Sequence, residues 1–119
     1  MAGDGGQLTV VVQRSAHGVV VRPEGELDRD GEGPLRGALE QAVATAPGLL
    51  VVDCSALTFC DTAGLDLLLG ARSVIETLGG SFVLAAAGPA VAGLLSLAGV
   101  EEVLRVYGTV AEALAAADG

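Results

Sequence analysis

The chain is predicted to form a single α/β domain, a mixed and mainly parallel sheet with helices packed on it, in the order ββαβαβαβα. Three observations predict this. Short β-branched runs alternate with stretches whose apolar residues recur at helical spacing. Most of those stretches open on a capping residue or Pro and close on Gly. Strands that alternate with helices are joined by crossovers, which make them parallel, while the first two runs are close enough to pair antiparallel. The 119 residues suffice for one such domain, expected over 8–119 behind a Gly-rich, flexible segment at 1–7.

Leu8 to Gln13 and Gly18 to Arg22 are the opening strands, joined by a polar hairpin link from Arg14 to Gly18. Pro23 and Gly25 punctuate an acidic stretch, Glu24 to Glu32. Pro34 then stands at the first turn of a helix with Leu35, Ala38, Leu39, Ala42 and Val43 on one side, ended by Pro47-Gly48. Leu49 to Asp53 is apolar up to its last residue, the pattern of a central strand buried on both faces. Asp61 caps a helix from Thr62 to about Leu78, closed by Gly79-Gly80. A strand from Ser81 to Ala86 follows, and Pro89 opens a third helix through Leu95 or Ala98. Val103 to Val106 is the last strand, and Thr109 caps an Ala-rich helix that ends near Ala117.

Composition removes several function classes. Hydrophobic residues make up 51% and charged residues 18%, enough to bury a core. Fifteen acidic residues against six basic ones give a net charge of −9, which repels phosphate backbones and anionic headgroups. Neither nucleic acid nor a membrane surface is an expected partner. Charged residues, Gly and Pro break every apolar run before the length of a spanning helix, and no basic-then-apolar leader opens the chain, so a cytoplasmic location is expected. Cys54 and Cys60 read as reduced, buried thiols. His17 completes no zinc spacing with them, and no metal or cofactor is expected.

The residues do not read as an enzyme. Asp61-Thr62-Ala63-Gly64 displaces the Gly of an aspartic-protease Asp-Thr-Gly by one position and leads into a helix. Ser55 and Cys54 lack a base, because His17 falls in the predicted hairpin. No Gly-rich turn precedes a Lys, and the chain contains no Lys.

The informative segment runs from Asp53 to Leu65. Asp61 offers a cap, and Thr62 places a hydroxyl in the first helical turn, beside unpaired backbone N–H groups and the positive end of the helix dipole, where a phosphate is tolerated. The same two residues also suit a plain cap and a polar first-turn position. At about 100° per residue, Thr62, Arg72, Ser73, Glu76 and Thr77 form a polar arc that includes Leu65 and Leu69. Gly64, Leu67, Leu68, Ala71, Val74, Ile75 and Leu78 form the expected core stripe. Leu65 and Leu69 beside an exposed hydroxyl suit a docking surface, or else are covered by a flanking loop.

The pattern Asp53-x-Ser55-x-x-x-Phe59-x-Asp61-Thr62-x-Gly64-Leu65, with Gly25-Glu26-Leu27-Asp28 upstream, resembles the signature of bacterial anti-sigma factor antagonists, the single-domain STAS proteins. The likeness continues through Gly79-Gly80, the Pro89 helix and Ala98-Gly99-Val100. It implies a STAS fold and a partner-switching role. The unphosphorylated protein binds a Ser/Thr kinase that is also an anti-sigma factor, which frees the sigma factor. The kinase, using ATP and magnesium, switches it off by phosphorylation, and a phosphatase restores it. By position, the resemblance makes Thr62 the acceptor, Asp61 its cap and Asp28 a partner contact, with Gly64 and Leu65 continuing the motif. Thr62 departs from the more usual Ser by a methyl group, and Ala63 removes a second hydroxyl. It further implies a monomer when free. STAS domains also serve as transporter subunits and stress-signalling scaffolds, which leaves a non-phosphorylated binding role as the alternative.

Overall fold

A computed structural model describes residues 8–28, 32–45 and 47–118. The expected flexible segment at 1–7 and residues 29–31 of the acidic stretch lie outside them. Strands β1 (Thr9–Ser15) and β2 (Gly18–Leu27) form the expected antiparallel hairpin. Its turn is closed by Ser15, whose Oγ accepts from the His17 N–H and donates to the Gly18 carbonyl, both at 3.2 Å.

Helix α1 (Glu32–Ala44) leads to β3 (Leu49–Asp53), and β4 (Leu57–Cys60) precedes α2 (Thr62–Thr77). Strand β5 (Ser81–Ala85), α3 (Pro89–Ala98), β6 (Val106–Tyr107) and α4 (Val110–Asp118) complete the chain. The sheet order is β1-β2-β3-β5-β6, with every pair after the hairpin parallel. All five residues of β3 are buried, as a central strand requires. Leu50 and Val52 face the larger core with residues of α1, α2 and α3. Leu49 and Val51 face the opposite side, where Ala113 of α4 covers them together with Val20 and Val83.

The fold class holds, and three strands differ from expectation. Strand β2 continues past Arg22 to Leu27, and β4 is an additional strand paired with that extension. The first part of β2 pairs with β3 through Val19, Val20 and Val21. From Gly25, whose φ of 116° is a conformation suited to glycine, β2 pairs with β4 instead, with a register shift between Gly25 and Glu26. Four residues with a buried-exposed-exposed-buried pattern show no strand periodicity, so only the pairing with β2 defines β4.

Strand β6 begins at Val106 rather than Val103. The Val103 and Leu104 N–H groups both donate to the Val100 carbonyl, at 3.0 and 2.8 Å, forming a turn that drives Leu104 into the core. The other boundaries follow their local chemistry. Gly79 ends α2 at φ 85° and Gly99 ends α3 at φ 71°, while the Thr109 Oγ1 accepts from the Glu112 N–H at 3.0 Å to cap α4.

Helix α2 is rolled relative to the predicted stripe. Gly64, Leu68, Ala71 and Ile75 are buried as expected, but Val74 and Leu78 are 47% and 52% exposed, and Leu67 is only half-buried. Leu65, expected in the polar arc, is buried instead. A wheel finds the densest apolar arc, whereas the roll is set by what the first turn packs against. Among the described residues, no helix is long and apolar enough to cross a membrane.

Candidate functional site

Beyond β3 the chain turns at once. Asp53 Oδ1 accepts from the Ser55 N–H at 2.9 Å, and the Leu57 N–H donates to the Cys54 carbonyl at 3.1 Å. This turn delivers β4 alongside the far end of β2. Three further bonds fasten it there: the Gly25 N–H to the Ala56 carbonyl at 3.0 Å, the Thr58 Oγ1 to the Gly25 carbonyl at 3.0 Å, and the Asp61 N–H to the Leu27 carbonyl at 3.1 Å. The last bond brings Asp28, the residue after β2, beside the start of α2. Two motifs more than 30 positions apart in sequence therefore meet on one edge.

Asp61 is the N-cap of α2, with extended backbone at φ −100° and ψ −178°. Its Oδ1 accepts from the Gly64 N–H at 2.9 Å, and its carbonyl accepts from the Leu65 N–H at 3.0 Å. Thr62 is the first helical residue and is exposed. Its side chain thus sits at the positive end of a sixteen-residue helix, with a carboxylate immediately before it. The Asp61 carboxylate, not the Thr62 hydroxyl, caps the Gly64 N–H, so a modification of Thr62 removes no cap bond.

Of the residues expected to contact a partner, Asp28 and Asp61 are partly exposed at this edge and Leu69 is half-buried against the core. Gly64 and Leu65 are not surface residues. A Cβ on Gly64 would lie 2.6 Å from the Leu27 Cγ and 3.1 Å from the Cys60 Sγ. Leu65 is 4% exposed and shares one buried cluster with Leu57, Cys60, Val91 and Leu95. Both residues are buried and seat the helix. The wheel misplaced Leu65 because β4, which contributes Leu57 and Cys60 to its surroundings, was not visible in the sequence. Phe59 on β4 is 45% exposed, two residues before the cap. It is an aromatic contact of the kind that anchors interfaces, and only its place in the motif hinted at it.

Both cysteines are free and buried. Burial, reinforced by Cys60 and Asp53, pushes the Cys54 thiol up to about 12. Burial and the neighbouring Asp61 push Cys60 up to about 11. Each stays protonated at neutral pH and is therefore a poor nucleophile or metal ligand. Among the described residues, no group of three or more His, Cys, Asp and Glu could hold a metal ion. His17, the chain's one histidine, lies in the β1–β2 turn.

Comparison with known proteins agrees with this architecture. Residues 10–106 match the family described as "Mlab, STAS domain". An anti-sigma F factor antagonist of Paenibacillus polymyxa is 28% identical over 97 residues, which cover 81% of this chain and 83% of that protein. The crystal structure of an anti-sigma factor antagonist from Mycobacterium paratuberculosis superposes with a TM-score of 0.89 at 28% identity, over the full length of both chains. SpoIIAA, an anti-sigma factor antagonist solved in its unphosphorylated form, has a TM-score of 0.79 at 23% identity, covering 93% of this chain and 97% of that one.

Proposed function

The chain belongs to the STAS domain family, and on that footing we propose that it is an anti-sigma factor antagonist switched by phosphorylation of Thr62. The observation that supports this reading most is the placement of Thr62: an exposed hydroxyl on the first residue of α2, beside a cap already satisfied by Asp61. The unphosphorylated protein binds an anti-sigma factor kinase through the edge that carries Asp28, Phe59, Asp61 and Thr62, with Leu69 at its margin. Binding releases the sigma factor. The kinase then transfers the γ-phosphoryl group of ATP to the Thr62 Oγ1. The hydroxyl proton leaves, ADP is formed, and a phosphatase later hydrolyses the ester.

No large conformational change is needed for the switch. The phosphate adds a charge of about −1.5 to −2 beside Asp61 and Asp28. Against a partner surface that accommodates a neutral hydroxyl, repulsion and desolvation of several kcal/mol weaken binding on the order of a thousandfold. Because the chain already carries −9, position rather than total charge makes the difference.

The test is intact-mass analysis after incubation with candidate anti-sigma factor kinases, ATP and magnesium, paired with kinase-binding measurements. One phosphate on wild type and none on Thr62→Ala is expected. Thr62→Glu should lose kinase binding while Thr62→Ala keeps it. Equal kinase binding by wild type, Thr62→Ala and Thr62→Glu would overturn the switch and favour a constitutive binding subunit.

A further inference from the structure

The predicted core stripe of α2 is wider than the arc that the fold buries, and the surplus borders an open groove. Leu67 and Val74 lie on the side of α2 that faces α1, and both stay partly uncovered. Together with Leu39 and Val43 of α1 they give an apolar floor to a groove of about 670 Å³ between the two helices. Its size falls within the range of about 300–1,000 Å³ typical of binding sites. Gly70 lines the same groove near the middle of α2. A Cβ there would meet nothing within 4 Å, so no contact inside the chain requires glycine. Glycine in a helix interior is a poorer choice than alanine, and a bare backbone facing the groove permits close approach from outside.

The rim decides the occupant. Among the described residues, Glu32 and Glu40 of α1 and Asp66 of α2 stand on it with one cation, Arg36. The Arg36 guanidinium is engaged by Glu32 at 3.3 Å, which leaves Glu40 and Asp66 to dominate the field. Both are exposed. A fatty acid or anionic lipid would place like charge on this rim. A second copy would bring the same acidic rim and a further −9. An apolar face flanked by Lys and Arg satisfies floor and rim together.

We infer that the α1–α2 groove is a second docking site, which takes a basic amphipathic helix from a partner protein. Such a helix lays apolar side chains at i, i+3, i+4 and i+7 along the floor and its cations against Glu40 and Asp66. The inference does not rest on phosphorylation of Thr62, because the floor and the carboxylates that carry it belong to the unmodified chain.

Two synthetic helical peptides test it, with identical Leu faces and either Lys or Glu on the flanks, titrated into the full chain with amide chemical shifts as readout. The Lys peptide should bind and shift amides in 36–43 and 63–74, and the Glu peptide should bind at least tenfold more weakly. Gly70→Leu, which fills the floor, should weaken the Lys peptide tenfold or more, whereas Thr62→Ala should not change it. The double variant Glu40→Lys, Asp66→Lys should reverse the charge preference. Melting curves establish that each variant folds, and if Gly70→Leu does not, Val74→Ser serves in its place. Equal binding of both peptides, shifts outside these helices, concentration-dependent dimerisation through the groove, or displacement of the Lys peptide by a fatty acid would each overturn the inference.

Discussion

Gly64 lies so close over Leu27 that a methyl group on its Cα would come within 2.6 Å of the Leu27 Cγ. Leu27 is fully buried at the end of β2, and the Asp61 N–H bonds to its carbonyl. The first turn of α2 is thereby pinned to the end of β2, the residue before Asp28. The site's geometry rests on this contact more than on any exposed residue.

Replacement of Gly64 by Ala should accordingly overpack the junction. A loss of about 1–3 kcal/mol is expected in urea unfolding, with weaker kinase binding because α2 is displaced from Asp28. Unchanged stability and unchanged binding would show that Leu27 yields without cost.

The cap makes a separate prediction. Asp61→Ala removes the acceptor for the Gly64 N–H and should cost about 1 kcal/mol, whereas Asp61→Asn keeps an acceptor and should stay within a few tenths. Urea midpoints of the two variants, compared under one condition, check the difference.

The thiols predict a dependence on alkaline pH. Both are raised in the folded protein, Cys54 to about 12 and Cys60 to about 11, from an ordinary value of 9.0. Below pH 9 folded and unfolded chains hold these protons alike, and the thiols add no slope. Above pH 9 the unfolded chain releases them first, so stability falls as pH rises until the folded values are passed. The slope is at most about 1.4 kcal/mol per pH unit for each thiol. Urea unfolding from pH 8 to 11 should therefore be steeper in pH for wild type than for Cys54→Ala, and parallel curves would refute the assignment.

Ala86, just after β5, holds a φ of 57° although it is not glycine, and its N–H donates to the Tyr107 carbonyl at 2.9 Å. Left-handed backbone costs a residue with a Cβ about 1 kcal/mol or more. Ala86→Gly should keep the hydrogen bond and raise stability by about 0.5–1 kcal/mol, less any gain in unfolded-chain entropy. A lower melting temperature for the variant would count against strain at this position.

By itself the sequence determined the α/β class, the parallel core around Leu49–Asp53, the Asp61 cap and the helix that begins at Thr62. Each of these depends on local chemistry: continuous apolar runs, a carboxylate that accepts a first-turn N–H, glycines at helix ends. It also placed Thr62 at the surface, since the first helical turn tolerates a hydroxyl. Only the tertiary structure decided what surrounds Thr62. Strand β4 is defined by its pairing with residues 25–27 of β2, a long-range pairing that four residues without periodicity cannot announce. From that pairing follow the approach of Asp28, the seating of Gly64 on Leu27, and the roll of α2 that buries Leu65 and leaves Val74 facing a groove. A helix carries its apolar pattern in its own residues, but its rotation about its axis is set by the neighbours it meets.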